Sequence, residues 1–240
     1  MIADIRTVMW KEGKSLLRVR GSRSRFWLTM LSPILLATVF PWRWGAEWVE
    51  EIPSVILSFV IPIVLVGLII PDSFAGERER HTLGTLLASR LPDRAILFGK
   101  LAVSVALGWG ATILVLLLSV IVVNVAHWEG QILFYTPTIL LADLSLSFLM
   151  CTLLAGTGVI VSLRSETVQE ASQRLMAIFL IPPMILQVAA MVLMDRLDQV
   201  IEAVNGQQLL LIVLAVLLAL DVAVAAIAGA RFRRSQLCLG

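Results

Sequence analysis

Residues 101–126, LAVSVALGWGATILVLLLSVIVVNVA, decide the fold, because this run contains no charged side chain. A helix rises about 1.5 Å per residue, so a run of this length exceeds the roughly 30 Å hydrocarbon core of a bilayer. A strand of a membrane barrel needs only about 9 to 11 residues and alternates in polarity. The run therefore predicts a membrane-spanning helix.

The composition of the whole chain agrees with this prediction. The chain has 240 residues, of which 59% are hydrophobic and 15% are charged, and its mean hydropathy is +0.93. Soluble domains carry about 25% charged residues. A core of this size cannot cover so much apolar surface, which excludes a soluble protein and favours one membrane domain. Cys151 and Cys238 match neither a disulfide framework nor a metal-ligand spacing.

Apolar runs long enough to cross a membrane occur six times along the chain. They cover residues 26–42, 52–70, 101–126, 137–163, 175–194 and 209–230. The sequence therefore predicts an all-α membrane protein with six transmembrane helices.

The positive charges predict the orientation of these spans. Of the 19 lysine and arginine residues, 17 fall in the N-terminal segment, the second and fourth connections and the C-terminal tail, and the other two are Arg43 and Arg196. Cytoplasmic loops carry the excess of positive charge, so both termini are predicted to be cytoplasmic. The aromatic residues of the opposite side are predicted to form an interfacial belt: Trp42, Trp44, Trp48, Trp128 and Tyr135.

Two segments on the predicted cytoplasmic side lie outside the spans. The leader, residues 1–25, places Ile2, Ile5, Met9 and Leu16 near one helical face between basic residues. This pattern predicts an amphipathic helix in the lipid headgroup layer, although a leader that is basic only for topology would also fit. The remaining residues, 26–240, form the transmembrane domain.

The second segment, residues 71–100, is a polar insert between the second and third spans. Asp72 can cap a helix, and Phe74, Leu83, Leu86 and Leu87 form an apolar stripe on it. Glu77 has Arg80 and His81 three and four residues away, a spacing that allows ion pairs within the helix. Pro92 breaks the pattern, and a second, short helix is predicted from Asp93 to Lys100. This helix–turn–helix predicts a docking element for a cytosolic partner.

The same insert resembles the permeases of type-2 ATP-binding-cassette (ABC) transporters. The resemblance rests on SFAGERERHTL at 73–83, LLAS at 86–89 and RAILFGK at 94–100, and on SETVQEASQ at 165–173. The family pattern is roughly S-F-x-x-E-[KR]-E-x-G-T-L-E-x-L-L, then a turn with proline and I-L-x-G-K. This chain has His81 where glycine is usual and Gly84 where glutamate is common.

The resemblance implies the membrane-spanning subunit of an ABC exporter in a cell (plasma or inner) membrane. The leader then corresponds to an elbow helix, and residues 72–91 to a coupling helix that docks on a separate ATPase. It implies a homodimer or a pair with a paralogous permease, with ATP and magnesium bound by the partner subunit. The implied docking residues are Phe74, Glu77, Arg78, Glu79, Arg80, Thr82, Leu83, Leu86 and Leu87.

The residues themselves also favour a separate ATPase. No G-x-x-x-x-G-K-[ST] phosphate loop occurs, and neither H-E-x-x-H nor G-x-S-x-G is present, so no catalytic or metal-binding residue is assigned and the chain is not predicted to be an enzyme. The basic residues of the leader are explained by membrane topology, so contact with lipid is expected and contact with nucleic acid is not.

Two carboxylates fall inside predicted spans, Asp143 and Asp221. A carboxylate at membrane depth is costly and faces the interior or water. These two either line a transport path for a cation or proton, or make structural hydrogen bonds, for instance to Ser145 or Ser147. Two alternative functions therefore stay open: a stand-alone ion-coupled secondary transporter that uses both carboxylates, and a non-transporting membrane assembly factor. The sequence does not identify the substrate.

Overall fold

The computed structural model describes residues 2–18, 23–51, 53–82, 90, 92–128, 130–192 and 206–231. All regular elements within these ranges are helices, and none of these residues forms a strand. In chain order they are α1 (Ile2–Arg18), α2 (Arg23–Trp44), α3 (Glu47–Glu50), α4 (Pro53–Glu79), α5 (Asp93–Ala126), α6 (Pro137–Ser162), α7 (Val168–Val192) and α8 (Gly206–Arg231).

Within the described residues, five helices are long and apolar enough to cross a membrane, which indicates a multi-pass membrane protein. They contain Pro53–Glu79, Ala95–Ala126, Pro137–Ser162, Val168–Ala189 and Gln208–Gly229. Helix α2 covers the predicted first span and is not among these five helices. A sixth span, the cytoplasmic position of the termini and the elbow helix therefore stay predictions.

Helices α4 and α6 form the centre of the bundle. Helix α4 packs on α5, α6 and α7, and α6 also packs on α5 and α8. Gly158 of α6 lies against Ile70 of α4, where a Cβ atom would overlap the Ile70 side chain. Such small residues allow close approach of helices in a membrane, where van der Waals contact drives association.

The polar insert differs from its prediction in two ways. Helix α4 does not stop before Pro71 but runs through it to Glu79, so Asp72 lies inside the helix and does not cap a new one. Helix α5 begins at Asp93, as expected, but continues to Ala126 without a break. The predicted coupling helix 72–91 is therefore, up to residue 79, the end of a spanning helix. Residues 83–89 and 91, with Leu83, Leu86 and Leu87, lie outside the described residues.

At the opposite end of the bundle, some of the residues predicted to form an interfacial aromatic belt are buried instead. Trp48 and Tyr135 are buried, and the Trp48 indole Nε1–H donates to the Tyr135 hydroxyl at 3.2 Å. Trp42 and Trp128 are exposed as expected of interfacial residues. The predicted belt is therefore wrong for Trp48 and Tyr135, which belong to the core. Burial, with a smaller contribution from Asp143, raises the pKa of Tyr135 above its ordinary value.

Candidate functional site

A buried lysine joins three helices at the end of the bundle that the charges predict to be cytoplasmic. Lys100 lies in the second turn of α5, and its side chain is 1% exposed. Its ammonium group lies 3.1 Å from Glu12 Oε1 on α1 and 3.0 Å from Glu77 Oε1 on α4, and donates to the Ser73 carbonyl at 2.6 Å. We call Glu12, Glu77 and Lys100 the charged triad. Three acceptors satisfy the three ammonium hydrogens, which is what a buried lysine requires.

The residue before this lysine allows α1 to reach the triad. A Cβ atom at Gly99 would lie 2.6 Å from Val8 Cγ1 and 3.4 Å from the Ile5 carbonyl, so only glycine permits this crossing without a shift. Val8, on α1, is 3% exposed. Gly99 and Lys100 thus have separate roles. Gly99 has no side chain, which lets α1 approach α5 closely, and Lys100 binds α1 through Glu12.

The last residue of α6 and the connection from α6 to α7 bind the same end of α4. The hydroxyl of Ser162 accepts from the Ala75 N–H at 2.8 Å and donates to the Pro71 carbonyl at 3.0 Å. These two backbone groups are four residues apart and form one rung of the helix, so Ser162 bridges that rung from the side. The Arg78 guanidinium donates to the carbonyls of Leu163 and Ser165 at 3.0 and 3.1 Å. These contacts fix the last two turns of α4 on α6.

The end of α4 is closed by a Schellman motif. The Thr82 N–H donates to the Glu77 carbonyl at 2.8 Å, and the His81 N–H donates to the Arg78 carbonyl at 3.0 Å. This motif needs a left-handed residue at the position after the cap, and His81 has a φ of 57°. Glycine takes this conformation without the cost that a Cβ atom adds, so His81 carries a strain at this position that glycine would not.

The predicted docking residues therefore divide into two groups. Phe74, Glu77 and Arg78 face the chain's own interior: Phe74 is 2% exposed below the Lys100 ammonium, and the other two make the contacts described above. Glu79, Arg80 and Thr82 are exposed. Phe74 and Glu77 are removed from the reachable surface because both contact Lys100 of α5. We call the exposed residues 79–82 the α4 tip.

The charged pairs expected within this segment also differ. Glu77 pairs with Lys100 and not with Arg80 or His81, whereas Arg80 pairs with Asp72 at 2.8 Å. Gly76 lies between these two residues on one helical face, where a Cβ atom would overlap the Asp72 carboxylate. The Arg80 side chain is 62% exposed, so this pair contributes little to stability.

Asp143 is enclosed and satisfied. Its two oxygens accept hydrogen bonds from Ser54 at 3.0 Å and from Ser58 at 2.9 Å, both on α4, and the residue is 0% exposed. Ser145 and Ser147, named as possible partners, instead donate to carbonyls of their own helix. The arrangement is that of a structural link between α6 and α4.

Asp221 has different surroundings. Its Oδ2 accepts from the Thr152 hydroxyl on α6 at 2.8 Å, and the residue lines a groove between helices. Thr152 follows Asp143 by nine residues, which is about 14 Å along a helix. Asp143 does not line that groove. The structure therefore does not bring the two carboxylates together.

Sequence patterns missed the triad and the Ser162 bridge. Both join residues that are far apart along the chain, and no local spacing encodes them. One signal was available: Lys100 directly precedes the apolar run 101–126, a place where a lysine must either reach the headgroups or find acceptors. Among the described residues, no cluster of three or more histidine, cysteine, aspartate or glutamate side chains could hold a metal ion.

No protein-family model matches the sequence, and no curated protein is significantly similar to it.

Proposed function

We propose that this chain is the membrane-spanning permease subunit of an ATP-driven ABC exporter in a cell membrane, and that a separate ATPase subunit docks on the α4 tip. The proposal rests on the resemblance at 73–100 and on one structural observation: α4 extends beyond its apolar run and ends in a rigid, exposed tip. Such a tip offers a cytosolic partner an exposed surface whose position is fixed by the bundle.

The triad supports this role for α4. A tip that receives force from a partner must be stiff, because a frayed end would absorb the displacement. The charged triad and the Ser162 bridge fix the last turns of α4 to α1, α5 and α6, and the Schellman motif closes the end of the helix. Movement of the tip is therefore passed to α1, α5 and α6 together.

The ion-coupled carrier draws less support from the structure. Such a carrier would pass an ion between Asp143 and Asp221. Asp143, on α6, accepts from serines of α4, whereas Asp221, on α8, accepts from Thr152 of α6. An assembly factor without transport activity would share the fold and is distinguished by experiment.

Co-purification tests the docking site. The full chain is tagged and purified in detergent from its native membrane, together with a variant in which Glu79→Lys and Arg80→Glu exchange the charges of the tip. A matched control carries Arg43→Glu and Glu47→Lys, the same exchange between exposed residues at the opposite end of the bundle. Neither variant touches the triad.

The proposal expects a stoichiometric ATPase with the unmodified chain and with the control, and a large loss of it with the tip variant. A chain that purifies without an ATPase would refute the function. An ATPase bound equally by both variants would keep the permease but refute docking at the α4 tip.

A further inference from the structure

A deep groove runs along the bundle between α5, α6 and α8. Helices α5 and α8 both pack on α6 and leave a space of about 670 Å³ between them. Its depth comes from small residues on the three walls: Ala102, Ala106, Gly156, Ala225 and Gly229. The volume lies within the range of sites for small organic molecules.

One charged group lies among the described residues that line the groove. It is Asp221, and these lining residues include no lysine, arginine or histidine. Thr152 donates to Oδ2, and in the described part of the chain the carboxylate accepts no other hydrogen bond. A carboxylate at membrane depth with a single neutral partner is costly, and a positive charge beside it would offset that cost.

Two aromatic rings line the same groove near Thr152, the hydrogen-bond partner of this carboxylate. Phe148 precedes Thr152 by four residues on α6, so the two side chains are neighbours on one face. Trp109 of α5 meets Phe148 edge to face, with ring centroids 5.5 Å apart. The Trp109 Nε1–H donates to the Leu144 carbonyl, so its ring offers the groove only aromatic surface. Such rings attract a desolvated cation.

We infer that this groove binds a lipophilic monovalent cation, with its charge at Asp221 and its apolar body against Trp109 and Phe148. The inference deepens the proposed function and rests on it only in making this cation the exported cargo.

The depth at which Asp221 lies in the groove favours a compact cation over a phospholipid as the ligand. The lining on α5 extends from Leu97 to Trp109, about 18 Å along the helix, and begins at the end predicted to be cytoplasmic. Asp221 lies at the deep end, near the middle of α8. A phospholipid keeps its headgroup at the surface and places acyl chains at this depth. A compact cation whose charge is shielded by apolar groups can reach the carboxylate.

Binding of two ions of the same shape and opposite charge tests the inference. Tetraphenylphosphonium and tetraphenylborate are measured by equilibrium dialysis against the purified full chain in lipid nanodiscs, with empty nanodiscs subtracted. Asp221→Asn removes the charge, and Ala225→Phe fills the groove without changing it. The controls are Glu166→Gln, an exposed carboxylate elsewhere, and Ala215→Phe, an exposed α8 residue that does not line the groove.

The expected result is saturable binding of the phosphonium at one site per chain, weakened about tenfold or more in Asp221→Asn and in Ala225→Phe and unchanged in both controls. The borate should show no saturable binding. Phosphonium binding that survives both groove variants, or a borate that saturates the same site, would overturn the inference. Because no ATPase takes part, this outcome is independent of the co-purification result.

Discussion

Replacing Lys100 with methionine tests the charged triad directly. The Lys100 side chain is 1% exposed and its ammonium group lies within 3.1 Å of both carboxylates, so its loss leaves Glu12 and Glu77 within about 6 Å of each other without that cation between them. At an effective dielectric constant of about 20, two like charges at that distance repel by about 3 kcal/mol. Breaking a buried ion pair by removal of one partner costs about 3–5 kcal/mol in general. We therefore expect Lys100→Met to lower the free energy of unfolding by about 3–5 kcal/mol.

The assay is reversible unfolding of the purified chain by SDS in mixed micelles, followed by circular dichroism. Amide hydrogen exchange of α1 supplies a local measurement, because Glu12 links that helix to Lys100. The matched control is Lys11→Met, which removes an exposed cation from α1. The control should change stability by less than about 0.5 kcal/mol.

A compensating variant separates charge from packing. Glu12→Gln and Glu77→Gln, combined with Lys100→Met, remove all three charges while keeping similar volumes. Neutral replacement of a buried ionic cluster is often tolerated, so most of the lost stability should return. If Lys100→Met costs less than about 1 kcal/mol, or if the triple variant is no more stable than the single one, the triad does not hold α1 and α4 together.

Three further predictions concern single residues. His81→Gly should stabilise the chain by about 1 kcal/mol in the same SDS titration, because glycine takes the left-handed cap without strain, and a loss of stability would contradict the Schellman assignment. Ser162→Ala should lower the free energy of unfolding by about 1–3 kcal/mol, because it removes the bridge between the Pro71 carbonyl and the Ala75 N–H. The Ser165 hydroxyl donates to the Val161 carbonyl in the preceding turn, so the control Ser165→Ala should change stability little. Tyr135 is the single tyrosine of the chain, and because its pKa is raised, the folded state keeps the phenol proton at a pH where the unfolded state loses it. The free energy of unfolding should therefore fall as pH rises above about 10. Absorbance at 295 nm should show phenolate at about pH 11 only after unfolding.

Hydropathy predicted the spanning helices well because the bilayer imposes their length. The predicted fourth span, 137–163, differs by one residue from α6, and the predicted sixth, 209–230, lies within α8. Apolar runs of this length have few alternatives to a helix, since every backbone group must find its partner inside the membrane.

The polar insert was harder to predict, because its local sequence pattern indicates a helix start where the structure has a continuous helix. Proline followed by aspartate is typical of a helix start, and Pro71–Asp72 was interpreted so. The helix nevertheless continues, and Ser162, at the far end of α6, binds its backbone at the Pro71 carbonyl and at the Ala75 N–H one turn later. The triad has the same character: Glu12, Glu77 and Lys100 come from separate segments. Contacts of this kind follow from the packing of helices and leave no spacing in the sequence.

The polar contacts also indicate which parts of the bundle move together. Asp143 of α6 binds Ser54 and Ser58 near one end of α4, and Ser162 of α6 binds the backbone near its other end. Because both ends of the pair are held, α4 and α6 cannot tilt against each other without breaking a buried hydrogen bond. A displacement at the α4 tip therefore moves the two helices as one body, and α1 follows through the triad. In the proposed exporter, alternating access would then arise between this body and its less buried neighbours: α7, α8 or a second copy of the chain.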